Sequence, residues 1–434
     1  GCQALLHLSN CIPSFCFTHP GLEHSEDFQH PFPGKCDQRQ LEILSLIKPG
    51  KEGTPAENLS AEDLEYTWLL LSTVASAYWT TCSKPVLEET PAATCPATGN
   101  AGISMRPVAG LKRAREESLA VLPEWLVDVI LHLEGLVGRP WSGTPEYCEL
   151  VLNNWHVPSQ ALHRSANEES ESETFIISRD SIHLVHPISR FLAIPWEEWL
   201  RKFQLVLEAE GGRAVSHAHR RLTPAISRRD NATVVAALNE FAGKIESLVE
   251  FQTQQFRLKD SRGDHIIATR LRTFVAKGWS DEEVAAWVYT GSSPLLPAMH
   301  ALLGLRKMDG IYGPLQENWQ VLGRQNMPES HRQFLDALEH SVSVRAYCLR
   351  EWRKAPVELI AALEDSFNNC IETLLRYCNL RQRLANRMFP GAGRVRQLSS
   401  WQEKVVRSGR LSLLQMRRVA DLHKMRMMKT PLGW

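Results

Sequence analysis

Residues 356–389 read PVELIAALEDSFNNCIETLLRYCNLRQRLANRMF, and the reading of this stretch decides the fold. At about a hundred degrees per residue, Leu363, Phe367, Cys370, Leu374, Cys378, Ala385 and Met388 share one apolar stripe. The pattern predicts one long helix over 356–389 that docks against a core. Arg381 projects near the middle of that stripe. A charge turned toward a core is costly unless it is paired. Arg381 should therefore meet an anion: a protein carboxylate, the acid group of a cofactor, or part of a ligand.

Outward from this stretch, helical patterns recur at 61–82, 196–209, 232–258, 264–277, 296–307, 330–349 and 397–425, with apolar stretches at 122–137 and 145–155. Alternating strand patterns are scarce; FIIS and IHLVH, around 175–186, are the candidates. The expected fold class is mostly α, a large helical C-terminal domain with a smaller N-terminal cap. The division reads as an irregular arm over 1–58, a smaller domain over 59–160 with an inserted Pro/Thr/Ala/Gly-rich loop at 83–119, and a large all-helical domain over 174–434 that carries the pocket.

The chain has 434 residues, with 49 Lys plus Arg against 49 Asp plus Glu. That balance provides no global field for nucleic acid or an acidic membrane. No apolar run reaches the roughly 18–20 residues that span a bilayer, so stable membrane insertion is not expected. The 10 cysteines include no C-x-x-C pair, and they read as reduced, buried thiols of a cytoplasmic protein. HExxH, GxSxG, P-loop and GxGxxG signatures are absent from the sequence, which removes support for the common hydrolase, kinase and dinucleotide-binding mechanisms.

Several segments, in order, carry a likeness to a known family. EYTWLLLSTVASAYW (65–79), EYCELVLNNW (146–155), LRTFVAKGW (271–279), GSS followed by LLGL (291–305), MPESHRQFL (327–335), SVR (343–345), FNNCIETLL (367–375) and PGAGRV (390–395) resemble the indoleamine 2,3-dioxygenase family. The resemblance implies an all-helical haem protein that opens the indole ring of tryptophan with dioxygen. It implies that Arg272 matches the arginine holding the substrate carboxylate, that Tyr147 matches a pocket tyrosine, and that Ile267 falls near an aromatic pocket position. Ser292 falls in the element that closes the family's pocket. That element departs from the family pattern here, where Pro294-Leu295-Leu296-Pro297 replaces a glycine- and serine-rich run.

The larger departure is Arg381. Placing Cys370 on the family's helix cysteine puts Arg381 where the proximal haem histidine stands, and no histidine occurs between His340 and His423. A neutral imidazole has a lone pair for iron; a guanidinium, protonated at any working pH, has none to give. Haem is therefore not expected, and no residue is assigned as its ligand. Cys378, one turn earlier on the stripe, is a thiol beside the expected pocket; thiolates ligate haem in other folds.

Glu364, Asn368 and Glu372 recur at i, i+4 and i+8 on the same helix, a spacing at which oxygen ligands could hold Mg²⁺ against a diphosphate. A solvated helix face explains the same spacing. Residues 401–429 carry clustered Lys and Arg and read as a charged outer face, not a nucleic-acid site. His217-Ala218-His219 with Arg220 and Arg221 reads as a solvated basic turn.

Three functions follow. The first is a haem-independent enzyme of specialised metabolism acting on a small hydrophobic molecule with a carboxylate or diphosphate end. Arg381 and Arg272 would grip that end, and Mg²⁺-dependent, terpene-cyclase-like ionisation is the first candidate. The second is a haem-dependent dioxygenase of tryptophan or a derivative. The third is a non-catalytic small-molecule-binding protein.

Overall fold

The computed structural model describes residues 61–82, 115–158, 175–192, 195–258, 293–305, 324–341, 343–352, 354–388, 410–413 and 416. Arg272, Ile267 and Ser292, the arm over 1–58, most of the inserted loop, the helical pattern at 264–277 and the basic run 417–429 lie outside these residues.

The described chain is mostly helical. In order it forms α1 (Ala61–Cys82), α2 (Glu124–Val137), a π-helical turn (Cys148–Leu152), α3 (Pro195–Arg228), α4 (Asn231–Leu258), α5 (Leu295–Leu303), α6 (Glu329–His340), α7 (Val344–Glu351) and α8 (Val357–Met388). The strand candidates around 175–186 are corrected. Ile182–Leu184 is a 3₁₀ turn, and a lone antiparallel bridge joins His156 to His186. Ser178 and Ser181 exchange side-chain-to-backbone hydrogen bonds there, which gives the backbone a local alternative to a ladder.

Two hydrophobic clusters organise the molecule. One joins α1, α2 and the 147–151 segment around Trp68, Leu71, Ile130, Trp141 and Phe191. The other fills the space among α3 to α8 around Phe241, Tyr347, Phe367 and Leu374. α3 contributes to both: Trp196, Leu200 and Leu205 to the first, Phe203, Val206 and Leu207 to the second. α4 lies along α3 and also along α8. The α8 stripe is buried as its period predicts, with Leu363, Phe367, Cys370 and Leu374 fully enclosed and Cys378 5 % exposed.

Local chemistry explains the joints. Glu197, in the first turn of α3, accepts the backbone N–H groups of Phe191 (2.9 Å) and Leu192 (2.7 Å) and is paired with Arg201 (2.6 Å). The carboxylate thus satisfies two backbone donors of the chain entering α3, and its charge suits the positive end of the helix. Between α3 and α4 the chain turns through Arg229 at φ 56°. Asp230 then caps α4, accepting Thr233 N–H at 3.1 Å and Thr233 Oγ–H at 2.6 Å. The pattern over 330–349 is two helices, not one. Ser343 accepts the N–H of Ala346 at 3.2 Å as the cap of α7, and a serine that caps starts a helix rather than continuing one.

α3 is the largest revision of the sequence reading. The pattern stops at 209, before Glu210-Gly211-Gly212, yet the helix runs on to Arg228. Gly211 is there for packing. A Cβ on it would lie 2.5 Å from Leu295 Cδ2, so the glycine lets α5 approach α3. His217 and Arg221 accordingly belong to a helix, not a turn. Both pair with Glu240 of α4, the imidazole Nε2 at 2.9 Å.

Candidate functional site

Between α3, α5, α6 and the 147–155 segment lies a cavity of about 260 Å³. Its α3 wall is built from Leu205, Glu208, Ala209, Gly212 and Val215, positions three and four apart that share one helix face. Small residues at 209 and 212 leave the room. Across from them stand Tyr147, Trp155, His331 and Phe334, with Pro294, Leu295 and Ala298 at the start of α5.

Tyr147 is held by a buried scaffold. Next to it, Glu149 accepts Trp68 Nε1–H at 2.8 Å and the backbone N–H of Glu146 at 2.9 Å, and Cys148 Sγ donates to the carbonyl of Asn326 at 3.2 Å. Asn326 in turn donates to Glu146 at 2.7 Å. These bonds tie the segment carrying Tyr147 to the one carrying His331. The two rings are tilted against each other with centroids 6.0 Å apart. Burial pushes the Tyr147 hydroxyl well up, helped by the nearby Glu208 charge. Burial lowers the pKa of His331, and its Nδ1 has no hydrogen-bond partner among the described residues.

Glu208 is the acidic group of the cavity, and the sequence reading missed it. It is half-buried and lines the cavity. Its Oε1 accepts Ser293 Oγ–H at 2.6 Å. Ser293 also accepts the N–H of Leu295 at 3.1 Å, so the serine that matters here follows Ser292 by one position. Burial raises the Glu208 carboxyl above its ordinary value, opposed by the charge of Arg381 and by the Ser293 hydrogen bond.

Arg381 occupies the interior as its stripe position requires. It is 9 % exposed, and its Nη1 donates to Tyr377 Oη at 3.2 Å. Burial opposes its charge, but Tyr377 and Glu208 together hold its pKa above the usual arginine value. Among the described carboxylates, Glu208 on α3 is one whose charge acts on Arg381. Arg381 does not line the described cavity, where the acidic residue is Glu208.

These residues do not fit axial ligation of haem iron from α8. The guanidinium has no lone pair to offer. The Tyr377 hydroxyl receives the Arg381 hydrogen bond, and burial raises it away from the phenolate a metal would bind. Cys378 is a buried thiol packed into the C-terminal core.

The proposed Mg²⁺ residues are not assembled as a site. Asn368 donates to the carbonyl of Leu411 at 2.9 Å and accepts its N–H at 2.9 Å, so its amide clamps a neighbouring strand of backbone. Glu372 is paired with Arg410. Neither they nor Glu364 line the cavity. Among the described residues no group of three or more His, Cys, Asp or Glu side chains could hold a metal ion, and no helix is long and apolar enough to cross a membrane.

No relative among curated proteins matches the chain. The family model described as indoleamine 2,3-dioxygenase matches residues 143–387, more than half the length. The match opens just before the Tyr147 segment and closes in α8, so it takes in the helices that carry Glu208 and Arg381. With its mostly helical fold and the family's motifs in their order, the chain belongs to the indoleamine 2,3-dioxygenase family.

Proposed function

We propose that this family member is a haem-independent enzyme that binds a small hydrophobic molecule in the cavity beside Glu208. The observation that supports this reading is the placement of Arg381: buried, bonded to Tyr377 and balanced by Glu208, at the position where an iron ligand would be required. A carboxyl raised by burial holds its proton to higher pH than a solvated one, the property a proton-transferring group needs. Glu208 can hold a proton at its carboxylate, Ser293 fixes the carboxylate plane, and Tyr147, Trp155 and Phe334 exclude water around it. The cavity volume of about 260 Å³ lies near the lower limit of roughly 300–1,000 Å³ for ligand pockets. That favours a one-ring molecule over a prenyl diphosphate, and the engagement of Asn368 and Glu372 lends the Mg²⁺-dependent cyclisation no support.

Family membership favours a second reading, a haem-dependent dioxygenase of an indole compound. The visible spectrum of protein expressed with added haem precursor separates the two. The first reading expects no Soret band, and none shifted by dithionite and CO. A stoichiometric band that persists through purification would overturn it in favour of the second.

A further inference from the structure

We propose that a single water molecule is built into this protein between Thr144 Oγ1 and Asn326 Oδ1, where it joins the segments that carry Tyr147 and His331. Thr144 is 1 % exposed and Asn326 8 %. Both line one small cavity, whose other walls include Trp68, Trp141, Glu146 and Glu149. Thr144 Oγ1 and Asn326 Oδ1 are buried and have no hydrogen-bond partner among the described residues. Buried polar groups of folded proteins are nearly always satisfied, by protein or by ordered water, and each one left open is costly. The cavity leaves about 10 Å³ for the centre of a water molecule, which is room for one.

The chemistry of the two atoms selects the occupant. Asn326 Nδ2–H donates to Glu146 at 2.7 Å, which fixes the amide so that Oδ1 is the acceptor left over. The Thr144 hydroxyl can both donate and accept, and the carbonyl of the same residue is already taken by Ser142 Oγ–H at 2.7 Å. The occupant must therefore donate to Asn326 and accept from Thr144. Water does both, and its second hydrogen is left for a carboxylate of the lining, Glu146 or Glu149. Three hydrogen bonds are the usual complement of a buried water. An anion could not donate to Oδ1 and would meet the two glutamates as a like charge. Asn326 is already tied to the 146–148 segment through Glu146 and through Cys148 Sγ, which donates to its carbonyl at 3.2 Å. The water adds a link from Thr144, three positions before Tyr147, to Asn326, five before His331. None of this depends on what the larger cavity binds.

The test is a high-resolution crystal structure of the full-length protein, joined to amide hydrogen exchange in solution. The expected result is one isolated density peak within hydrogen-bond distance, about 2.7–3.2 Å, of both Thr144 Oγ1 and Asn326 Oδ1. Thr144→Ser, which keeps the hydroxyl, should retain the peak. Thr144→Val, which keeps the shape and removes the hydroxyl, should weaken or lose it. In solution Thr144→Val should speed exchange roughly fivefold, the factor of one lost hydrogen bond, both in the 146–150 backbone and at the start of α6, while Thr144→Ser stays near wild type. Wild-type density with no peak there would overturn the proposal. So would a peak ringed by about six oxygens, the coordination of a metal ion rather than water. Faster exchange confined to the Thr144 side would overturn the joining role. Wild-type density alone decides the occupant should Thr144→Val not fold.

Discussion

Arg381 shows how one side chain can settle what a helix is for. On sequence alone its position on the apolar stripe demanded an anion. The structure supplies Glu208, from a helix far upstream, and the Tyr377 hydroxyl one turn before it on α8. Removing the guanidinium leaves the buried Tyr377 hydroxyl without its hydrogen bond, and an unsatisfied buried polar group typically costs about 1–3 kcal/mol. Arg381→Met should therefore lower stability to urea by roughly that amount, and Arg381→Met in a Glu208→Gln background should cost substantially less. Equal costs in the two backgrounds would show that the charges do not act on each other. That Arg381 needs a carboxylate was legible; which carboxylate was not. Glu208 reads as an ordinary polar position in VLEAEGG until the fold turns the Leu205–Gly212 face toward the cavity.

Single elements were legible to different degrees, and the differences have causes. α1 and α8 follow their periods almost to the residue, because uninterrupted apolar spacing with no competing turn chemistry leaves one solution. α3 does not, because two glycines inside a helix look like an end. Glycine normally costs a helix about 1 kcal/mol against alanine, so Gly211→Ala would stabilise α3 if propensity ruled. Contact with Leu295 at 2.5 Å reverses the expectation, since overpacking a core costs about 1–3 kcal/mol. Gly211→Ala is expected to lower the thermal midpoint, and to lower it less in a Leu295→Ala background than in wild type. A higher midpoint for the single variant would mean that α5 can step back freely. Ser341 to Ser343 misled in the opposite sense: the apolar period runs across them, while their capping chemistry breaks the helix.

On the scale of the whole molecule, α3 is the beam shared by both hydrophobic clusters, so a proton taken up at Glu208 acts where the two meet. The folded-state carboxyl sits above its ordinary value of 4.5. From 4.5 up to that raised value the folded chain binds more protons than the unfolded one, so this group's contribution to stability is full below 4.5 and declines as pH rises through the window. Glu208→Gln should remove that part of the decline in a stability profile measured between pH 4 and 8. A variant profile parallel to wild type throughout would contradict the raised carboxyl. The mostly helical class and the family motifs were readable without coordinates. The cavity was not, because its walls come from five separate segments, and nothing in any one of them says which others it will face.

The tight turn at Arg229 and Asp230 also bears on the order in which this molecule assembles. α3 and α4 are joined across almost no intervening chain, so their pairing closes the shortest loop available to either helix. α8 must arrive from well over a hundred positions downstream, as the Cys370 Sγ–Leu238 carbonyl contact at a separation of 132 marks. Loop-closure entropy places the hairpin early and the arrival of α8 late. On that order Glu208 sits on a hairpin formed before α8 docks, and the charge of Arg381 acts on it only once α8 has arrived.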